Sequence, residues 1–156
     1  MRIKNHFLFL FLFCTTFGFT QKEISLNGDW EFIFDHQNEG AEALWHENEV
    51  FQNLKDKRKI KVPSSWELIE QDYEGVAFYR YAFEVPIDWE AKVIRLQFDA
   101  VNYLSEIWLN DEVVGFHEGG FTPFEFRVDN MIQTGKVNVL TLRVVGPIIL
   151  SDKNID

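Results

Sequence analysis

From Ile24 onward, apolar and polar residues alternate with a period close to two, the pattern of strands that bury one face. Leu26, Trp30, Phe32 and Phe34 form one set, with Asn27-Gly28 as a turn near its start. Tyr79, Tyr81, Phe83 and Val85 form a second, stopped by Pro86. Ile94, Leu96, Phe98 and Ala100 alternate with Arg95, Gln97 and Asp99, and Leu140, Leu142 and Val144 alternate with Thr141 and Arg143. Each run is rich in β-branched or aromatic residues and is bounded by turn formers.

Tyr103 to Val128 reads as three further strands. Asn110-Asp111 joins the first two, because both residues tolerate the positive φ that a tight hairpin requires. Gly119-Gly120 marks the next reversal. About seven short strands without a long amphipathic helix predict an all-β domain, a sandwich whose two sheets bury their inner faces together. Two segments interrupt the alternation. His36 to Lys59 is polar and charged, with helical character around Ala41 to Val50. Ser64 to Gly75 is a loop carrying Trp66 and Tyr73 between two strands, and long loops in compact domains are often functional.

Length and composition fit this reading. With 156 residues, 46% hydrophobic and 16% aromatic, the chain fits one domain able to bury a core without disulfide or metal. Residues 1–20 read as a secretory signal: Arg2 and Lys4 precede the apolar run Phe7 to Phe13, and Gly18 and Thr20 are small residues suited to cleavage before Gln21. The apolar run is shorter than the about 20 residues of a membrane span, so no stable span is expected after cleavage. The only cysteine, Cys14, lies in this segment, which leaves the mature chain without disulfide or thiolate chemistry. Losing Arg2 and Lys4 also takes the formal net charge from −10 to −12. No basic stripe remains, which argues against nucleic acid and anionic membrane surfaces.

Candidate chemistry is sparse. Glycosidic hydrolysis needs two carboxylates roughly 5 to 9 Å apart across a cleft, and 25 acidic residues supply pairs in any arrangement. The Asn38-Glu39 and Asn48-Glu49 dipeptides lie in the polar segment and read as solvated surface. His36, His46 and His117 lack a zinc-binding pattern, Ser64-Ser65 lacks the nucleophile elbow, and Gly115, Gly119 and Gly120 read as turn glycines. No catalytic residue, metal or cofactor is expected. Aromatic faces that stack on sugar rings beside polar groups are the remaining resource. Trp30, Tyr79 and Tyr81 fall on strand positions and read as core. Trp66 and Tyr73, beside Asp72 and Glu74, are the candidate carbohydrate-binding residues, against a competing core role for both aromatics.

Taken in order, these segments resemble the N-terminal sugar-binding domain of glycoside hydrolase family 2, the family of β-galactosidases, β-glucuronidases and β-mannosidases. Leu26-Asn27-Gly28-Asp29-Trp30 with Phe32 is similar to its opening strand, and Val62-Pro63-Ser64-Ser65-Trp66 to its V-P-x-x-W element. Phe78-Tyr79-Arg80-Tyr81, Phe83 and Val85-Pro86 resemble its W-Y-R-x-x-F-x-V-P segment. Asp99 to Phe126 contains W-L-N, V-G, H-x-G-G-F and T-P-F-E-F in family order, and Gly135, Asn138 and Leu140 resemble the closing G-x-N-x-L strand. The resemblance covers Leu26 to Val145. It departs at Asn110-Asp111, where Asn-Gly is usual, and at Arg127, where an acidic residue is common.

The resemblance implies a jelly-roll β-sandwich of the galactose-binding-domain-like type over residues 21–150, with 151–156 beginning a linker or continuation. It implies carbohydrate or glycoside as ligand, and the immunoglobulin-like and catalytic barrel domains of a full-length enzyme as partners. Those domains, with both catalytic glutamates, are expected to lie outside these 156 residues, so this stretch alone is expected to be inactive. The expected setting is an exported bacterial protein, periplasmic or extracellular. The alternatives are a stand-alone lectin-like glycan-binding protein and a structural interaction module without sugar affinity.

Overall fold

A computed structural model of the protein describes residues 22–151. The expected signal, residues 1–20, and residues 152–156 of the expected linker lie outside them. Eight strands are described: β1 (Gly28–Phe34), β2 (Arg58–Val62), β3 (Val76–Glu84), β4 (Arg95–Phe98), β5 (Leu104–Leu109), β6 (Glu112–Glu118), β7 (Phe124–Arg127) and β8 (Val137–Val145). Two short helices, α1 (Asn48–Asn53) and α2 (Pro147–Ser151), accompany them.

The strands form two antiparallel sheets, one of six in the order β2-β1-β3-β8-β5-β6 and one of two, β4-β7. Alternation along each strand decides which face it buries. Trp30, Phe32 and Phe34 of β1, Ala77 of β3, Leu140, Leu142 and Val144 of β8, and Ile107 and Leu109 of β5 share one core with Leu96 of β4. Phe98, Phe124 and Phe126 of the small sheet pack against that core, while Arg95, Gln97, Glu125 and Arg127 face solvent. Trp30 stacks on Tyr81 with ring centroids 5.0 Å apart, so the strand aromatics are core, as the alternation predicts.

The polar stretch after β1 is folded rather than loose. The outer face of the large sheet carries Ile33, Val76, Phe78 and Val145, and Phe51, Trp45, Leu54 and Ile149 cover it. Asp35 starts the cover: its buried carboxylate accepts the backbone N–H groups of Glu39 at 2.9 Å and Gly40 at 2.8 Å. A Cβ at Gly40 would sit 2.5 Å from the Phe78 ring and 2.8 Å from Trp45, so the turn reaches the sheet only because glycine stands there. The helix falls at Asn48–Asn53 rather than around Ala41 to Val50, since positive φ at Asn38 and Leu44 winds residues 38–46 into turns. Arg58–Val62, read partly as the end of the polar segment, is an edge strand. Ile60 faces the core while Arg58, Lys59 and Lys61 stay exposed, and charge on an edge discourages pairing with other chains.

Several sequence motifs mark structural joints. Asn110 and Asp111 both have positive φ, 54° and 68°, as a type I′ hairpin requires. The Asn110 side chain donates to Asn138 Oδ1 at 3.0 Å and Met131 O at 2.9 Å, and accepts from Val139 N at 2.9 Å. Asn138 in turn bonds Gln133 N and O and Lys136 O. The β5–β6 hairpin is thereby tied to the start of β8. Arg80, buried on the outer face, donates to Asn48 Oδ1 at 2.6 Å and Thr141 Oγ1 at 3.2 Å and lies over the Phe51 ring. Burial pushes its guanidinium below the usual range, opposed by Asp111 and Glu31. At the unusual Arg127, the guanidinium forms a two-point contact with Asp129 at 2.6 and 3.0 Å.

Candidate functional site

One end of the sandwich gathers four loops. Tyr103 N donates to Val145 O, Gly119 N to Tyr103 O, and Gly146 N to Gly75 O, which brings residues 73–75, 99–103, 119–122 and 146–147 together. An open cleft of about 1520 Å³ reaches this end, lined by residues 22–27, by residues 62–67 at and after the end of β2, and by residues 93–102, which include β4. Its floor is apolar, from Trp30, Tyr79, Leu140 and Leu142, and its wall carries Glu67, Glu74, Asp99 and Asn102.

The Ser64–Gly75 loop borders this cleft because its own side chains hold it down. Ser65 caps a 3₁₀ turn at Trp66–Leu68. The Trp66 indole is 9% exposed and belongs to the main core, and its N–H donates to Tyr73 O at 3.0 Å. The Tyr73 hydroxyl donates to Val76 O at 2.8 Å and accepts from Val76 N at 2.9 Å. Its ring meets Phe34 at 4.7 Å and His36 at 5.1 Å, edge to face, and His36 reaches Glu70 at 3.1 Å. Burial raises the Tyr73 phenol above its usual range; the Val76 bond opposes this, while Asp35 and Glu70 add to it. Asp72 turns the chain with φ at 59°.

Of the four residues singled out from the sequence, Trp66 and Glu74 line the cleft together. Tyr73 stands behind them, its hydroxyl fully engaged, and the Asp72 side chain is exposed on the turn. Trp66 therefore offers the cleft a ring and no free donor, whereas Glu74 and Glu67, both on its lining, bring acceptors. Sequence reading missed Glu67, Asp99 and Asn102, which reach the cleft only because β4 and the 3₁₀ turn converge on it; no local motif distinguishes them. Phe121 at the tip of the Gly119-Gly120 turn is 90% exposed. Its signal was present as an aromatic outside any alternating run. Asn38-Glu39 and Asn48-Glu49 lie on the opposite, outer face: Asn38 Oδ1 accepts from Arg143 and Asn48 Oδ1 from Arg80. His46 stacks on Trp108 and His117 on Phe124. Acceptors beside aromatic rings suit hydroxyl-rich ligands with apolar C–H faces.

Residues 69–154 match the family described as glycosyl hydrolases family 2, sugar binding domain. A β-glucuronidase of Bacteroides fragilis is 29% identical over 143 residues, 88% of this chain and 18% of the relative. A β-galactosidase of Thermoanaerobacter pseudethanolicus is 32% identical over 120 residues, 76% of this chain and 14% of the relative. The solved structure of a Ruminococcus gnavus β-glucuronidase in complex with an N1-substituted uronic isofagomine superposes with a TM-score of 0.73 at 28% identity, covering 81% of this chain and 23% of that one. The chain thus spans less than a quarter of the length of these relatives.

Proposed function

As this chain belongs to glycosyl hydrolase family 2 through its sugar binding domain, we propose that it is the carbohydrate-facing β-sandwich of an exported glycosidase acting on O-glycosyl bonds. The observation that carries this reading is the match over residues 69–154 to the sugar binding domain, alongside relatives several times longer that hydrolyse glycosides by name. In this reading the chemistry belongs to a catalytic domain outside these residues. The sandwich contributes the end loops and the cleft mouth, where Trp66 supplies a ring and Glu74 and Glu67 supply acceptors for sugar hydroxyls; Asp72 and Tyr73 shape the loop that presents them. Export rests on the Arg2/Lys4 and Phe7–Phe13 pattern, and places the protein in the periplasm or outside the cell.

The test is an assay of pure residues 21–156 on aryl β-glucuronide and β-galactoside. The expected result is no turnover above buffer. Turnover that disappears on mutating the chain's own carboxylates would overturn the proposal.

A further inference from the structure

Phe121 stands at the tip of one of the four loops that meet at this end of the sandwich. Nearly all of its ring is open to solvent, at 90% exposure, so packing gives it no part in the fold. Among the described aromatic residues only Phe116 is comparably bare, and it lies on the outer face of the large sheet, opposite Glu106. Trp66 is buried inside the cleft; at the rim, the free ring is Phe121. Polar groups adjoin its loop. Gly119 N donates to Tyr103 O at 3.0 Å. A Cβ at Gly120 would sit 2.5 Å from Asn102 Oδ1, so the backbone that carries Phe121 rests against that amide. Gly120 and Asn102 both line the cleft, and Glu74 and Asp99 line it from the neighbouring 73–75 and 99–103 loops. An aromatic face beside groups that bind hydroxyls is the usual composition of a sugar site. The ring covers the C–H face of a pyranose, and carboxylate and amide oxygens accept from its hydroxyls.

The charge of the lining narrows the choice of sugar. Its lysine and arginine side chains, Lys22 and Arg95, are engaged elsewhere: Lys22 with Asp88 at 2.6 Å and Arg95 with Glu125 at 3.0 Å. Among the described residues, no cation pairs with Glu67, Glu74 or Asp99. A hydroxyl donates readily to these carboxylates, whereas a second carboxylate brought beside them is repelled. The relatives include a β-glucuronidase and a β-galactosidase, so family membership leaves the charge of the sugar open. We infer that the rim of the cleft is a subsite for a neutral pyranoside, stacked on Phe121 and hydrogen-bonded by Asn102, Glu74 and Asp99, and that it rejects uronates. The inference rests on the carbohydrate-facing role proposed above and adds to it the stacking ring and the charge of the sugar.

The experiment titrates the purified chain with two pairs of sugars that differ only at C6. Methyl β-glucoside is compared with methyl β-glucuronide, and methyl β-galactoside with methyl β-galacturonide, with affinities read by ligand-observed NMR. The expected result is binding of a neutral sugar about tenfold or more tighter than of its uronate at low salt. The gap should narrow as ionic strength rises. Phe121→Ala should weaken the neutral sugar about tenfold at an unchanged thermal midpoint, and Phe121→Trp should restore it. Glu74→Gln combined with Asp99→Asn should narrow the gap between neutral sugar and uronate. Equal or tighter binding of the uronates overturns the inference and leaves the carbohydrate-facing role standing. So does an unchanged affinity in Phe121→Ala, including the case in which that variant instead loses self-association seen by sedimentation. Binding of none of the four sugars overturns the inference and that role together.

Discussion

The indole N–H of Trp66 donates to the backbone carbonyl of Tyr73 at 3.0 Å, and the Tyr73 hydroxyl then closes on both backbone groups of Val76. A loop that reads from the sequence as a sugar platform is in this way fastened to the start of β3. Removing either handle should therefore register first as lost stability. Tyr73→Phe leaves the Val76 N–H without the hydroxyl it donates to, while the Val76 carbonyl keeps the Asp35 N–H, and Trp66→Phe removes the indole N–H from the Tyr73 carbonyl. Each is expected to cost about 1–3 kcal/mol, read from denaturant midpoints at unchanged slope. Trp66→Phe keeps an aromatic face, so a variant with full stability but reduced glycan affinity would show that the ring serves the ligand more than the fold.

Arg80 holds the polar segment on the outer face through Asn48, Thr141 and the Phe51 ring. A lysine has neither the planar fork nor the same reach. Arg80→Lys is expected to lose about 2–4 kcal/mol, the range for bonds to a charged buried group. Amide exchange across Asn48–Asn53 should accelerate more than exchange in β5. Uniform acceleration throughout the sandwich would mean that Arg80 supports the sheet rather than the cover.

Asn110 serves the hairpin through its backbone and β8 through its side chain. Asn110→Gly keeps the positive φ and loses only the side-chain bonds, whereas Asn110→Ala loses both. The expected order of unfolding free energies is wild type, then Gly, then Ala, with Ala lower by about 2–4 kcal/mol. Equal effects for the two variants would show that turn geometry contributes nothing here.

Burial raises the phenol of Tyr79 above its ordinary value near 10, and burial likewise raises that of Tyr73. A group whose folded pKa exceeds its unfolded one stabilises fully below the unfolded pKa and loses that contribution as pH climbs toward the folded one. Stability should thus be level with respect to these tyrosines below about pH 9 and fall above about pH 10. Tyr79→Phe should flatten the alkaline fall in a series of urea midpoints from pH 8 to 11. An unaltered slope in that variant would assign the loss to other groups.

Much of the fold was legible because strand alternation is local. Trp30-Phe32-Phe34 and Leu140-Leu142-Val144 declare a buried face without reference to any other segment, and Asn110-Asp111 declares its turn by residue type. β2 was harder to read: in Arg58-Lys59-Ile60-Lys61-Val62 only Ile60 and Val62 face inward, and edge charge masks the period. The cover formed by residues 36–57 was read as a polar loop because its anchors, Asp35, Gly40, Phe51 and Arg80, come from distant positions and meet only in the folded chain. The candidate site was legible in half. Trp66 and Glu74 do share the cleft, but nothing local tells an indole whose N–H is spent from one that is free. Glu67, Asp99 and Asn102 converge there through the packing of β4 against the large sheet.

The most direct test of the central claim is the mass and activity of the native gene product, recovered from its host's periplasm or medium with an antibody against residues 21–156. The account predicts a polypeptide several times the size of this domain, lacking residues 1–20, that cleaves an aryl β-glycoside. A mature product of the size of residues 21–156, with no glycosidase activity co-purifying, would contradict it and leave a free-standing glycan-binding or structural module.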